Sequence, residues 1–277
     1  MKKSLIFLII VLLSSNSLKA DNWLSSFEDA KKIALATNKL VLVDFWASWC
    51  GPCKRMDAES WNKDEIKVLM SNYVAVKIDL DINKSLALKY GVKGIPYVFI
   101  MDGNGKVIYE QMGYKRKSEV MELLKTYALD TKFLNRDLIN YYKKDNFANT
   151  YRLACKYQDY SMYLDAHLKS NFLEASDVYF KEAEKVLKDS NVKNKQFFKQ
   201  RIELHDIQKN LILNKSKKAL KQLERISKKG IDDKNISFYN LLQYIANKGD
   251  GNIEEVNLIG KELSDNDLKK VELFFKS

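Results

Sequence analysis

Val41-Leu42-Val43-Asp44-Phe45-Trp46-Ala47-Ser48-Trp49-Cys50-Gly51-Pro52-Cys53-Lys54 is the stretch on which the architecture turns. Leu40 to Phe45 is an apolar, partly β-branched run of the kind that fills a central strand buried on both faces. Asp44 is the exception inside it. After the strand, Trp49-Cys50-Gly51-Pro52-Cys53 has the composition of a turn leading into a helix, with Pro52 suited to an early helical position because it lacks an N–H. Two cysteines three residues apart at a helix start can form a disulfide without moving the backbone. The first of them sits where unpaired N–H groups and the helix dipole stabilise a thiolate. Only a thiolate attacks a disulfide, so Cys50 is the candidate nucleophile and Cys53, one turn inside, the candidate resolving thiol.

Glycine and proline divide the chain around this stretch. Both prolines and six of the ten glycines lie between residues 51 and 113, whereas Tyr114 to Lys229 contains neither. The first part alternates. Ser25-Ser26-Phe27-Glu28 resembles a capping box opening a helix through about Thr37. A helix follows the cysteines, breaks near Asn62 and resumes from Asp64 to Ser71. Val74 to Ile78 is predicted as a strand and Leu86 to Tyr90 as a short helix. Tyr97 to Met101 and Lys106 to Tyr109 flank the hairpin signal Asp102-Gly103-Asn104-Gly105, and Ser118 to Leu129 is predicted as a closing helix. The order implies a mixed sheet, parallel early and antiparallel late.

From Thr131 onward the apolar spacing is helical, as in Leu134, Leu138, Tyr141 and Tyr142, in Tyr179, Ala183, Val186 and Leu187, and in Phe238, Leu241, Leu242 and Ile245. Seven or eight helices joined by short polar loops predict antiparallel helix pairs. The expected organisation is a signal peptide over 1–20, an α/β domain over 21–130 and an all-α domain over 131–277.

Met1 to Ala20 has the pattern of a secretory signal: Lys2 and Lys3, nine apolar residues from Leu5 to Leu13, then a polar stretch ending in Leu18-Lys19-Ala20. An exported, periplasmic or otherwise extracytoplasmic protein is expected; retention of the segment as an N-terminal anchor is the alternative. The net charge of +11 is concentrated in residues 131–277, where 28 Lys and Arg face 21 Asp and Glu. These cations are nearly all Lys interleaved with acids, and no Arg cluster with aromatics is present, so no nucleic-acid partner is expected. A structural zinc site needs four ligands. Only Cys155, His167 and His205 remain to supply them, all remote from the CxxC, and no metal is expected. Cys155 fits a small core position. The aromatic run Tyr141, Tyr142, Phe147, Tyr151, Tyr157, Tyr160 and Tyr163 fits core packing better than a ligand groove.

The quoted stretch is similar to the thioredoxin signature, and Tyr90-Gly91-Val92-Lys93-Gly94-Ile95-Pro96 resembles the segment carrying the cis-proline of that family. The resemblance spans residues 25–129 and implies a thioredoxin fold. It makes Cys50–Cys53 the redox-active disulfide, with no other cofactor. Asp44 becomes the buried acid that handles the proton of the inner thiol, Lys77 its paired lysine and Pro96 the cis-proline. Trp49, Gly51, Pro52, Ile95 and Pro96 are expected to meet substrate. The break Lys54-Arg55-Met56-Asp57-Ala58-Glu59-Ser60-Trp61 and the later hairpin resemble the soluble reductase domain of membrane thiol:disulfide interchange proteins. Tyr97 stands where thioredoxin has threonine. The Gly-Pro pair between the cysteines implies a reductase of protein disulfides, with disulfide-containing exported proteins as partners and a membrane electron donor. A disulfide oxidase or isomerase, or a non-catalytic adaptor, are the alternatives. The helical half is expected to bind clients or a donor; a homodimer contact or a plain scaffold are its other readings.

Overall fold

The computed structural model describes residues 23–227 and 230–275. The segment 1–20 read as a signal peptide lies outside the described residues. Ser26 rather than Ser25 caps α1 (Phe27–Thr37), its hydroxyl accepting the Asp29 N–H at 3.2 Å. Asn38 ends the helix in the left-handed region (φ 57°), where Asn is tolerated. β1 (Leu40–Trp46) follows directly and is the strand that the apolar run predicts. It pairs in parallel with β2 (Tyr73–Asp79) and antiparallel with β3 (Tyr97–Met101), which pairs antiparallel with β4 (Val107–Met112). The sheet order is β2-β1-β3-β4, so β1 is central.

Helices cover both faces. α2 (Gly51–Met56) runs into a π-helical turn (Asp57–Trp61), and after the predicted break at Asn62 the chain resumes as α3 (Asp64–Met70). α4 (Lys84–Lys89) begins two residues before its predicted start, and α5 (Lys117–Thr126) stops three residues short. The chain leaves α5 at Tyr127, a buried ring whose hydroxyl donates to Asn171 at 3.2 Å, so a tertiary contact overrides helical propensity there. β4 runs on to Met112 because its partner Tyr97 opens β3.

Alternation along β1 sorts the core. Val41, Val43 and Phe45 face α1 and pack with Ala30, Ala34, Val76, Ile78 and Phe99. Leu40 and Leu42 face the other way, onto Met56, Trp61, Ile66 and Leu124. By the two-residue period Asp44 belongs to this second face.

The second core does not end with the sheet. It continues through Leu134 and Leu138 of α6 (Lys132–Lys143), Leu153 and Tyr157 of α7 (Phe147–Ser161), and Phe172 and Tyr179 of α8 (Ala166–Asp189). A further core joins α9 (Lys195–Ile212), α10 (Ser216–Ser227), α11 (Ile236–Asp250) and α13 (Asp265–Phe274), with α12 (Ile253–Ile259) beside α11. Thus eight α-helices follow Thr131 among the described residues. No helix among those residues is long and apolar enough to cross a membrane.

The hairpin turn fastens the two halves. Asp102 is fully buried; its Oδ1 accepts the N–H groups of Asn104 and Lys106 at 2.8 and 2.9 Å, which shapes the turn. Its Oδ2 accepts the hydroxyls of Tyr157 and Tyr179, each at 2.6 Å. The sequence marks this residue as a turn former only. Gly105 completes the turn at φ +81°, a conformation that glycine adopts freely.

Candidate active site

The redox pair sits at the end of the central strand. β1 delivers the chain to Ala47, and Cys50, in extended conformation, caps α2 while the Cys53 N–H donates to its sulfur at 3.1 Å. Cys50 and Cys53 form a disulfide with their Cα atoms 5.3 Å apart. Both cysteines are buried, but Gly51 and Pro52 between them are exposed. Trp49 is 66 % exposed and is held by an indole N–H···Oδ2 bond of 3.0 Å to Asp81. The Ile95–Pro96 peptide is cis, and Ile95 packs against the cysteines. Every residue expected at the redox pair therefore lies at this end of the sheet, with the indole of Trp49 turned outward.

Asp44 is 2 % exposed, under the face that α2 and the π turn cover. Burial raises its carboxyl to about 7; the Lys77 ammonium opposes that rise, and the Asp57 carboxylate adds to it. Register explains the pairing, because Asp44 and Lys77 are direct partners across β1 and β2. The Lys77 Nζ lies 3.7 Å from Asp44 Oδ2 but makes its closer ion pair with Asp57. The rings of Trp23 and Trp46 flank the ammonium at 5.4 and 5.1 Å. Asp44 Oδ1 has no hydrogen-bond partner among the described residues. The buried Trp61 indole N–H lies near enough to favour the charged carboxyl without closing a hydrogen bond.

Asp57 is the member of the site that sequence reasoning missed. A signal existed: it stands four residues after Cys53, on the same side of the helix. The expected Lys77–Asp44 pair is present, but shared with this second acid. The buried carboxyl can accept a proton near neutrality, and Lys77 and Asp57 set how readily it does so.

Elsewhere, Cys155 and His205 come together in the helical half, Sγ to Nε2 at 3.3 Å. Burial pushes the Cys155 thiol up to about 12 and His205 down to about 3, so both are neutral near pH 7. His167 is not part of this pair. Among the described residues no group of three or more His, Cys, Asp or Glu is placed to hold a metal ion.

A family model for the thioredoxin-like domain matches residues 27–128. Thioredoxin of Bacillus subtilis (strain 168) is 38 % identical over 90 residues, which are 31 % of this chain and 79 % of that protein. Thioredoxin of Mycoplasmoides gallisepticum is 36 % identical over 91 residues, 33 % of this chain and 87 % of that protein. Among solved structures, the oxidised C-terminal domain of Neisseria meningitidis DsbD aligns at 25 % identity with a TM-score of 0.34, covering 38 % of this chain and 98 % of that one. The family match falls on the first half of the molecule. The chain belongs to the thioredoxin superfamily and carries, in Cys50 and Cys53, the CxxC pair of a thiol:disulfide oxidoreductase.

Proposed function

We propose that the protein is an exported reductase of protein disulfides. The observation that carries the proposal is a buried carboxyl, Asp44, poised near neutrality on the strand that leads into the Cys50–Cys53 pair. In the reduced enzyme the Cys50 thiolate attacks one sulfur of a substrate disulfide. A mixed disulfide forms and the other substrate sulfur leaves as a thiolate. Asp44 accepts the Cys53 proton, and the Cys53 thiolate attacks the Cys50 sulfur. The second substrate thiolate is released and the Cys50–Cys53 disulfide is left behind. Two electrons pass to the substrate, and the proton held by Asp44 returns to a departing thiolate or to water.

The direction rests on Gly51-Pro52 between the cysteines, the dipeptide of thioredoxin, whose potential is about −270 mV. Export rests on the pattern of residues 1–20. Outside the cytosol the spent disulfide needs a reductant, and a membrane-borne dithiol donor supplies the electrons. Trp49, Gly51, Pro52, Ile95 and Pro96 form the surface that meets both partners.

Insulin reduction by the wild type and by Cys50→Ser is the direct test, with turnover expected only in the wild type. Cys53→Ser should accumulate the mixed disulfide and identify the clients by mass spectrometry. Equilibration with glutathione at a potential near the −120 mV of a strong oxidase would overturn the reductase assignment.

A further inference from the structure

A cavity of about 500 Å³ opens where α7, α9, α11 and α13 converge in the helical half. It lies outside the region that matches thioredoxins, and nothing in the redox chemistry uses it. Its size falls within the roughly 300–1,000 Å³ typical of small-molecule sites.

The lining is divided. Rings of Phe133, Tyr163, Phe238 and Phe274 supply apolar wall, with Leu241 behind them. The floor is polar but uncharged: neutral Cys155 and His205 are satisfied by each other, by the Tyr151 hydroxyl and by Gln158. Gln208 differs from them. It is only 7 % exposed and reaches the cavity, yet its side-chain amide makes no hydrogen bond among the described residues. Its amide atoms open onto the cavity space, where they are free to bond a ligand.

Charge gathers at the sides and mouth. Lys156 sits over the Phe133 ring at 3.7 Å, Arg201 over the Phe238 ring at 4.2 Å, and Lys270 is exposed at the rim. Against these three cations the lining holds one carboxylate, Asp159, so a net of two positive charges faces the cavity.

We propose that this cavity binds a small aromatic carboxylate. Its flat apolar body lies among the rings, where offset or edge-on aromatic contacts are favoured. Its carboxylate takes the excess positive charge of Lys156, Arg201 and Lys270. Gln208 donates to one of its oxygens. The helical half thereby gains a ligand function separate from disulfide exchange.

Isothermal titration calorimetry of the full-length oxidised protein with 2-naphthoate and its neutral counterpart 2-naphthamide tests the proposal. Naphthoate should bind one to one, and naphthamide at least about tenfold more weakly. Lys270→Glu, a surface change, should weaken naphthoate by about tenfold or more while leaving the thermal midpoint and naphthamide affinity near the wild-type values. Gln208→Leu should weaken naphthoate by severalfold. Leu241→Trp, which fills the cavity, should abolish binding of both; should that variant fail to fold, the Lys270→Glu comparison decides alone. Lack of saturation by about 1 mM naphthoate, equal affinity for the amide, or unchanged binding in Lys270→Glu overturns the site. Tighter binding of laurate than of naphthoate overturns the aromatic assignment.

Discussion

Replacing Asp44 by Asn separates what the buried carboxyl costs the fold from what it gives the thiols. In the folded protein burial holds Asp44 at about 7, against ~3.9 for an aspartate in an unfolded chain. The native state therefore binds this proton more tightly than the unfolded state does. Below about pH 4 both states carry the proton and its stabilisation of the native state is fully present. It is lost as the pH rises towards 7 and is gone above that value. A difference of about 3 between the two pKa values, at ~1.36 kcal/mol each, sets an upper bound of about 4 kcal/mol. Asparagine has no such dependence, and Lys77 keeps Asp57 as its partner. The stability of Asp44→Asn relative to wild type should thus climb from near zero at about pH 4 to as much as ~4 kcal/mol at about pH 8. Asp102, also buried, is common to both proteins and cancels from the difference. Urea unfolding of the oxidised proteins, followed by far-ultraviolet circular dichroism across that pH range, gives the number. A difference that does not change with pH, or a variant less stable than wild type at the alkaline end, refutes the reasoning. Insulin reduction by the same variant should fall even as its stability rises.

Two substitutions around the carboxyl should move its titration in opposite directions. Asp57→Asn removes a like charge and frees Lys77, so the pH midpoint for insulin reduction should move down; Lys77→Gln should move it up. Asp102→Ala leaves the buried hydroxyls of Tyr157 and Tyr179 and two turn amides without their acceptor. A loss of about 3–5 kcal/mol, read from urea denaturation, is expected. Ser26→Ala removes the α1 cap and should cost about 1 kcal/mol by the same measurement.

What could be read in the sequence depended on how far apart the interacting residues lie. Leu40 to Phe45 announced a central strand because burial on both faces leaves an apolar run, interrupted here only by Asp44, and Cys50 announced its helix through Gly51-Pro52. The pairing of Asp44 with Lys77 came by resemblance, and the parallel register of β1 and β2 supplies its geometry. The claim of Asp57 on the same lysine was hidden in a helical segment whose acids look solvent-facing. The second oxygen of Asp102 was hidden more deeply, since its tyrosine partners lie 55 and 77 residues away. A turn aspartate has the same local signature in water and in a core. Periodicity also assigned the aromatic run to packing, which holds for Phe147, Tyr157 and Tyr160. Tyr163 is 62 % exposed, and it lines the cavity together with Tyr151. Helical spacing alone does not show whether a neighbouring helix closes over a ring or stands off from it.

The anchoring of the hairpin through Asp102 bears on how the molecule can be cut and how it melts. Excising residues 21–130 as a free-standing redox unit would strip the carboxylate of both tyrosine donors and uncover the apolar surface that Leu134, Leu138 and Leu153 occupy. Such a fragment opens its hairpin turn to water and leaves a bare hydrophobic floor beside it. In the intact chain the same two hydrogen bonds tie α7 and α8 to the hairpin of the strand pair that follows the cis-proline, so loosening either helix should be felt along that pair.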